Sequence, residues 1–285
     1  MKKYLPQIDL LTLMAGAVGI LLRFWLLSLG EDDKGLYPAH HISWILLLVL
    51  SAAVAVCLFL IARFAGKERS YRANFPASAL GAMGYAAAAL GLALAGRNHF
   101  DQENLFLYPV AGFTALFAAV ALLWGCVCRM KGTRPHYLVF ALPCLYFGLR
   151  LFCMGHMWGD EPEMSRFLFS FLATAALIPA CYQLWAFAVG LGNRSACLLG
   201  SLLAVYLCLV AVPGDTDALL YLTAGCWLLL NLCPPKPPVR RSAPVEQPEE
   251  EPPAPQPEEL LPEQRDAEID AIIAELMLQT DDLKE

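Results

Sequence analysis

Long apolar runs, broken by short clusters of charge, organise the first 233 residues of this chain. They lie near residues 8–29, 41–63, 76–97, 105–128, 136–157, 164–191, 195–212 and 216–233. A helix needs about 20 apolar residues to cross a hydrocarbon core of about 30 Å, and most of these runs are long enough. Lipid offers no partner to a backbone N–H or C=O, so a spanning run must close its hydrogen bonds internally, as a helix does. The pattern therefore predicts an all-α fold: a polytopic transmembrane bundle of about eight spanning helices. The last two runs are the shortest, and a partly re-entrant pair is compatible with them.

The charges between the runs alternate in sign. Lys2 and Lys3 precede the first run, and Lys67, Arg69 and Arg72 join the second to the third. Arg129, Lys131 and Arg134 join the fourth to the fifth, Arg194 follows the sixth, and Arg240 and Arg241 follow the eighth. The intervening connections hold ten of the twelve acidic residues found before position 234, from Glu31 to Asp217. Lys and Arg are retained on the cytoplasmic side, so this alternation predicts that both termini are cytoplasmic.

The third run carries Gly84, Ala88, Gly91 and Ala95 at three- and four-residue spacing. Small residues let helix backbones approach closely, so this stripe predicts an interior helix. Gln183 and Asn231 are the main strongly polar residues deeper in the runs. Both have the chemistry to bond neighbouring helices.

The pattern changes at Pro234. Residues 234–262 hold eleven prolines with interspersed glutamates, too little apolar surface to build a core. This stretch reads as a disordered linker. Residues 263–285 then place Ile269, Ile272, Ile273 and Leu276 on one helical face, with acids around the remainder. The segment reads as an acidic amphipathic helix whose apolar face docks a cytoplasmic protein partner. A solvated, partly helical tail is the plainer reading.

Composition sharpens this division. Of 285 residues, 58% are hydrophobic and 16% charged, against about 25% charged in soluble domains. The net charge of −6 is uneven. Residues 1–233 carry 15 Lys and Arg against 12 Asp and Glu, and residues 234–285 carry 5 against 14. The acidity belongs to the tail, and the balance argues against a nucleic-acid partner. Ten cysteines, most inside apolar runs, form no disulfide framework and suit helix packing.

Three arginines break the charge rule. Arg23, Arg97 and Arg150 sit toward the acidic ends of the first, third and fifth runs. If those helices met, the guanidinium groups would form a cationic pocket for a carboxylate or a lipid phosphate. Snorkelling to the headgroups, or pairing with nearby acids, is the plainer alternative. Cys153, His156 and Asp160 are the candidate metal ligands, although their spacing matches no specific zinc motif. Asn193-Arg194-Ser195 fits a glycosylation sequon on the side where it would not be used. No motif calls for a cofactor, and no catalytic signature is present.

The sequence thus predicts a multi-pass protein of a bilayer, most simply a bacterial cytoplasmic membrane. Its first functional reading is a membrane-embedded interaction or scaffold protein that recruits a partner through residues 263–285. A permease for a small, anionic solute is the alternative. A membrane enzyme with an outer-face metal is the third, and the overall balance leans away from an enzyme.

Overall fold

The structure, a computed structural model, describes residues 5–28, 42–64, 70–100, 106–157 and 164–232. Among the described residues it is all-helical. The helices are α1 (Leu5–Ser28), α2 (Ile42–Arg63), α3 (Tyr71–Asn74), α4 (Ala79–Phe100) and α5 (Leu107–Lys131). They continue with α6 (Leu138–Met157), α7 (Met164–Val189), α8 (Arg194–Ala211) and α9 (Ala218–Leu232). Seven are long and apolar enough to cross a membrane, and α9 is a shorter apolar helix. The linker and the acidic segment at 263–285 lie outside the described residues, so the face formed by Ile269, Ile272, Ile273 and Leu276 does too.

Local chemistry sets the helix ends. Pro76 stays outside α4, which begins three residues later than the apolar run. There the Ser78 hydroxyl accepts the Gly81 N–H at 3.1 Å, because the first turn of a helix leaves N–H groups without intrahelical acceptors. Gly132, at φ 65°, ends α5 and directs its N–H to the Cys128 carbonyl. Asn193 starts α8 by accepting the Ser195 N–H at 3.1 Å. The carboxamide of the sequon is therefore a helix cap. The one-turn helix α3 falls in a connection that apolar periodicity leaves blank, yet it buries Tyr71 and the following Phe75.

The helices α4 to α9 form a closed ring. Each packs on the next, and α9 packs back on α4. The α1–α2 hairpin lies outside this ring, against α8. Both hairpin helices leave large apolar side chains exposed, among them Met14, Leu21, Val49 and Phe59. That surface suits lipid contact. The ring interior is filled by Tyr85, Phe140, Tyr146, Phe147, Tyr221 and Trp227, all 1% exposed or less. Tyr85 meets Trp227 edge-on at 5.6 Å and Phe140 at 6.2 Å.

Ring closure depends on the small residues of α4. A Cβ at Gly91 would overlap the Thr223 hydroxyl of α9, and one at Gly96 would lie 3.1 Å from the Gly112 carbonyl of α5. The stripe read from the sequence is thus a packing surface for α9. That helix has 15 residues, so it is only ~22 Å long at ~1.5 Å per residue, and it is held between α4 and α8.

Candidate functional site

Asp217 is the hub of a polar cluster at one end of the ring. The turn that positions it reverses at Gly214, whose φ of 83° favours glycine. The Asp217 N–H then donates to Asp215 Oδ1 at 2.8 Å, and α9 begins at the next residue. From α6, Arg150 Nη1 reaches Asp217 Oδ2 at 2.7 Å, with side-chain exposures of 6% and 12%. From α4, Asn98 Nδ2 donates to Asp217 Oδ1 at 2.9 Å. Both carboxylate oxygens are engaged. Charge-assisted bonds of this kind are about twice as strong as neutral ones.

Arg150 continues the network into the core. Its Nη2 donates to the Tyr221 hydroxyl at 3.3 Å, and its guanidinium lies 5.5 Å from the centre of that ring. The Tyr221 hydroxyl donates to the Ser170 carbonyl at 3.1 Å and lies 3.0 Å from the Thr174 hydroxyl. The Ser170 hydroxyl donates to Asp215 Oδ2. His99 adds a branch: its Nε2 is 3.3 Å from the Tyr146 hydroxyl, and its ring stacks on Tyr108 at 5.9 Å. Side chains of α4, α6, α7 and α9 and the α8–α9 turn are therefore joined within one network.

Electrostatics keep the hub ionised. Burial by itself raises the Asp217 pKa, but the Arg150 charge, its hydrogen bond and that of Asn98 outweigh it. The carboxyl is held below its ordinary range. Such an arrangement neutralises a buried guanidinium and fixes helices to one another.

The three arginines have different surroundings. Arg150 is the ion-paired one. Arg97 is exposed, although the adjacent Asn98 reaches Asp217. Arg23 is buried, with its guanidinium 5.3 Å from the centre of the Phe169 ring on α7. The condition set for one shared pocket was contact among the first, third and fifth spans. Instead α1 packs mainly on α8 and α2, α4 on α5 and α9, and α6 on α5 and α7. Asn98, next to Arg97, nevertheless meets Arg150 at Asp217.

Of the metal candidates, Cys153 is buried against Tyr108 and Ala111. The His156 side chain and Asp160 lie outside the described residues. Among the described residues, no three His, Cys, Asp or Glu side chains come together as metal ligands. Asn231 does bond across helices, through Nδ2 to the Tyr85 hydroxyl of α4 at 3.3 Å.

Sequence reasoning counted Asp217 only as an acidic loop residue and did not single out Asn98, Tyr146, Thr174 or Tyr221. Arg150 and Asp217 stand 67 residues apart, and no local spacing couples them. An acid just before a short apolar run, together with an arginine one or two turns inside another, is the signal that was present. Compared with protein-family models, with curated proteins and with solved structures, the chain matches none.

Proposed function

We propose that this chain is a multi-pass membrane scaffold. Its bundle is a rigid platform, and its acidic terminal segment, residues 263–285, recruits a protein partner in the cytoplasm. The observation that carries this reading is the closed ring with its cross-linked polar end. Arg150 is neutralised by Asp217 and bonded to Tyr221, which serves rigidity better than capture of a solute. The distribution of Lys and Arg supports cytoplasmic termini, and the short connections suit a bacterial cytoplasmic membrane. Quantitative crosslinking in cells, comparing the full chain with one lacking residues 263–285, tests the proposal. Loss of specific crosslinked partners is expected. An unchanged partner set would overturn it.

A second reading, a permease for a small anionic solute, is favoured by one observation. Pro143 and Pro179 lie inside α6 and α7, and a proline removes one hydrogen bond from the helical ladder. The Cys144 thiol donates to the Ile178 carbonyl at 3.7 Å, so the two prolines lie at one level. Uptake that falls in Arg150→Ala while the protein remains folded would favour this reading over the scaffold.

A further inference from the structure

A groove of about 770 Å³ runs along α6, bordered by α7 and by the start of α5. That volume falls within the ~300–1,000 Å³ of ordinary ligand pockets. Ala141, Cys144, Gly148 and Phe152 all line it, at the three- and four-residue spacing of one helix face. A Cβ on Gly148 would meet nothing within 4 Å, so the missing side chain leaves the groove open at its middle. Phe152 and Tyr182, at its border, are 63% and 52% exposed, so it opens on the surface of the bundle.

The two ends of the groove differ. A short connection joins α5 to α6, and the two helices pack together. Leu107, the first residue of α5, therefore marks the end far from that connection. The near end holds Tyr182 and Trp185 of α7, whose rings stack at 5.5 Å. Tyrosine and tryptophan gather at the headgroup level of a bilayer. Arg134, exposed in the connection, donates from Nε to the Ala188 carbonyl, one helical turn beyond Trp185. Among the described residues it has no carboxylate partner. An aromatic pair and a guanidinium, the group best suited to a phosphate, thus share one end of an apolar groove.

Length identifies the occupant. From Ala141 to Phe152 the α6 face measures ~17 Å at ~1.5 Å per residue. This is about half of a hydrocarbon core of ~30 Å, the depth of one leaflet. A second copy of this chain would bring helices that cross both leaflets, whereas the groove follows only one.

We propose that this groove holds one acyl chain of an anionic glycerophospholipid whose phosphate lies at Arg134. The chain lies along Gly148, between α6 and α7, and the aromatic pair flanks the glycerol end. The inference is independent of partner recruitment by the tail.

The test uses the full chain purified in detergent and titrated with phosphatidylglycerol or with phosphatidylcholine of the same acyl chains. Native mass spectrometry counts the lipids retained. One tightly held phosphatidylglycerol per chain is expected, bound about fivefold more tightly than phosphatidylcholine, the effect of one basic residue at a membrane surface. Gly148→Trp fills the open middle of the groove and should abolish retention of both lipids, with a melting temperature close to that of the wild type. Should that variant fail to fold, Gly148→Leu, which adds less volume, should weaken retention at least tenfold. Arg134→Gln should keep the lipid and lose the preference for phosphatidylglycerol. Retention that the Gly148 variants leave unchanged would overturn the groove assignment. Equal affinity of the wild type for the two lipids, or a preference that survives Arg134→Gln, would overturn the placement of the phosphate. A dimer that dissociates in Gly148→Trp would give the groove to a second copy and overturn the proposal.

Discussion

Arg150 and Arg129 invite direct comparison. Both are buried, both come from neighbouring ring helices, and both reach α9, one near its start and the other near its end. Arg150 meets a carboxylate and a phenol hydroxyl. Arg129 meets one carbonyl and an aromatic face. The difference teaches that burial of an arginine does not by itself define its role. With a carboxylate supplied by the chain, the pair acts as an internal clamp. Without one among the described residues, the guanidinium rests on a carbonyl and an aromatic face alone. Together the two attachments explain how a helix of 15 residues keeps its place in the ring.

The largest effect should come from breaking the clamp. Arg150→Met leaves Asp217 buried without its counter-charge and should cost about 3–5 kcal/mol, the usual result of removing one partner of a buried pair. Thermal unfolding in detergent measures this. A loss below about 1 kcal/mol would show that water already solvates Asp217.

Acid should weaken the same clamp reversibly. An unfolded Asp titrates near 3.9, and folded Asp217 is held below its ordinary value. The stabilisation is therefore complete above the unfolded value. It is lost as pH falls through the lower, folded one, because the unfolded chain takes the proton first. Wild-type stability should decline below about pH 4 more steeply than that of Asp217→Asn. Parallel profiles would count against an ionised hub.

Arg129→Met sharpens the contrast. It strands no carboxylate among the described residues, so it should change stability by less than about 1.5 kcal/mol, within the range for replacing a buried ion by a well-packed apolar residue. A loss as large as that of Arg150→Met would mean that the two ends are equivalent after all.

Tyr221→Phe should have a smaller effect, about 1 kcal/mol, because it removes one hydroxyl and preserves the ring. Unfolding measured alongside Arg150→Met and the double variant gives the coupling between the two residues. A coupling of zero would remove Tyr221 from the clamp.

Much of the fold was legible because the relevant signals are local. Apolar runs of sufficient length marked the helices, and the stripe from Gly84 to Ala95 marked a surface for close approach. That α9 is the helix lying on this stripe was not legible, nor was the burial of Tyr71 and Phe75 from a charged connection. Arg150 was singled out as an exception to the charge rule, but its partner was not. Arg129 was read simply as one of the basic residues near a helix end. It is buried beside the Phe75 ring and against Gly81 of α4, contacts that no periodicity encodes.

The sequence by itself determined that this chain forms apolar helices in a set order, because length and hydrophobicity act along contiguous residues. Tertiary structure alone decided which helices close the ring and that Arg150 receives a carboxylate. Those outcomes depend on α9 nesting against the glycines of α4, which brings Asp217 to Arg150 and Asn231 to Arg129 across sequence distances of 67 and 102 residues.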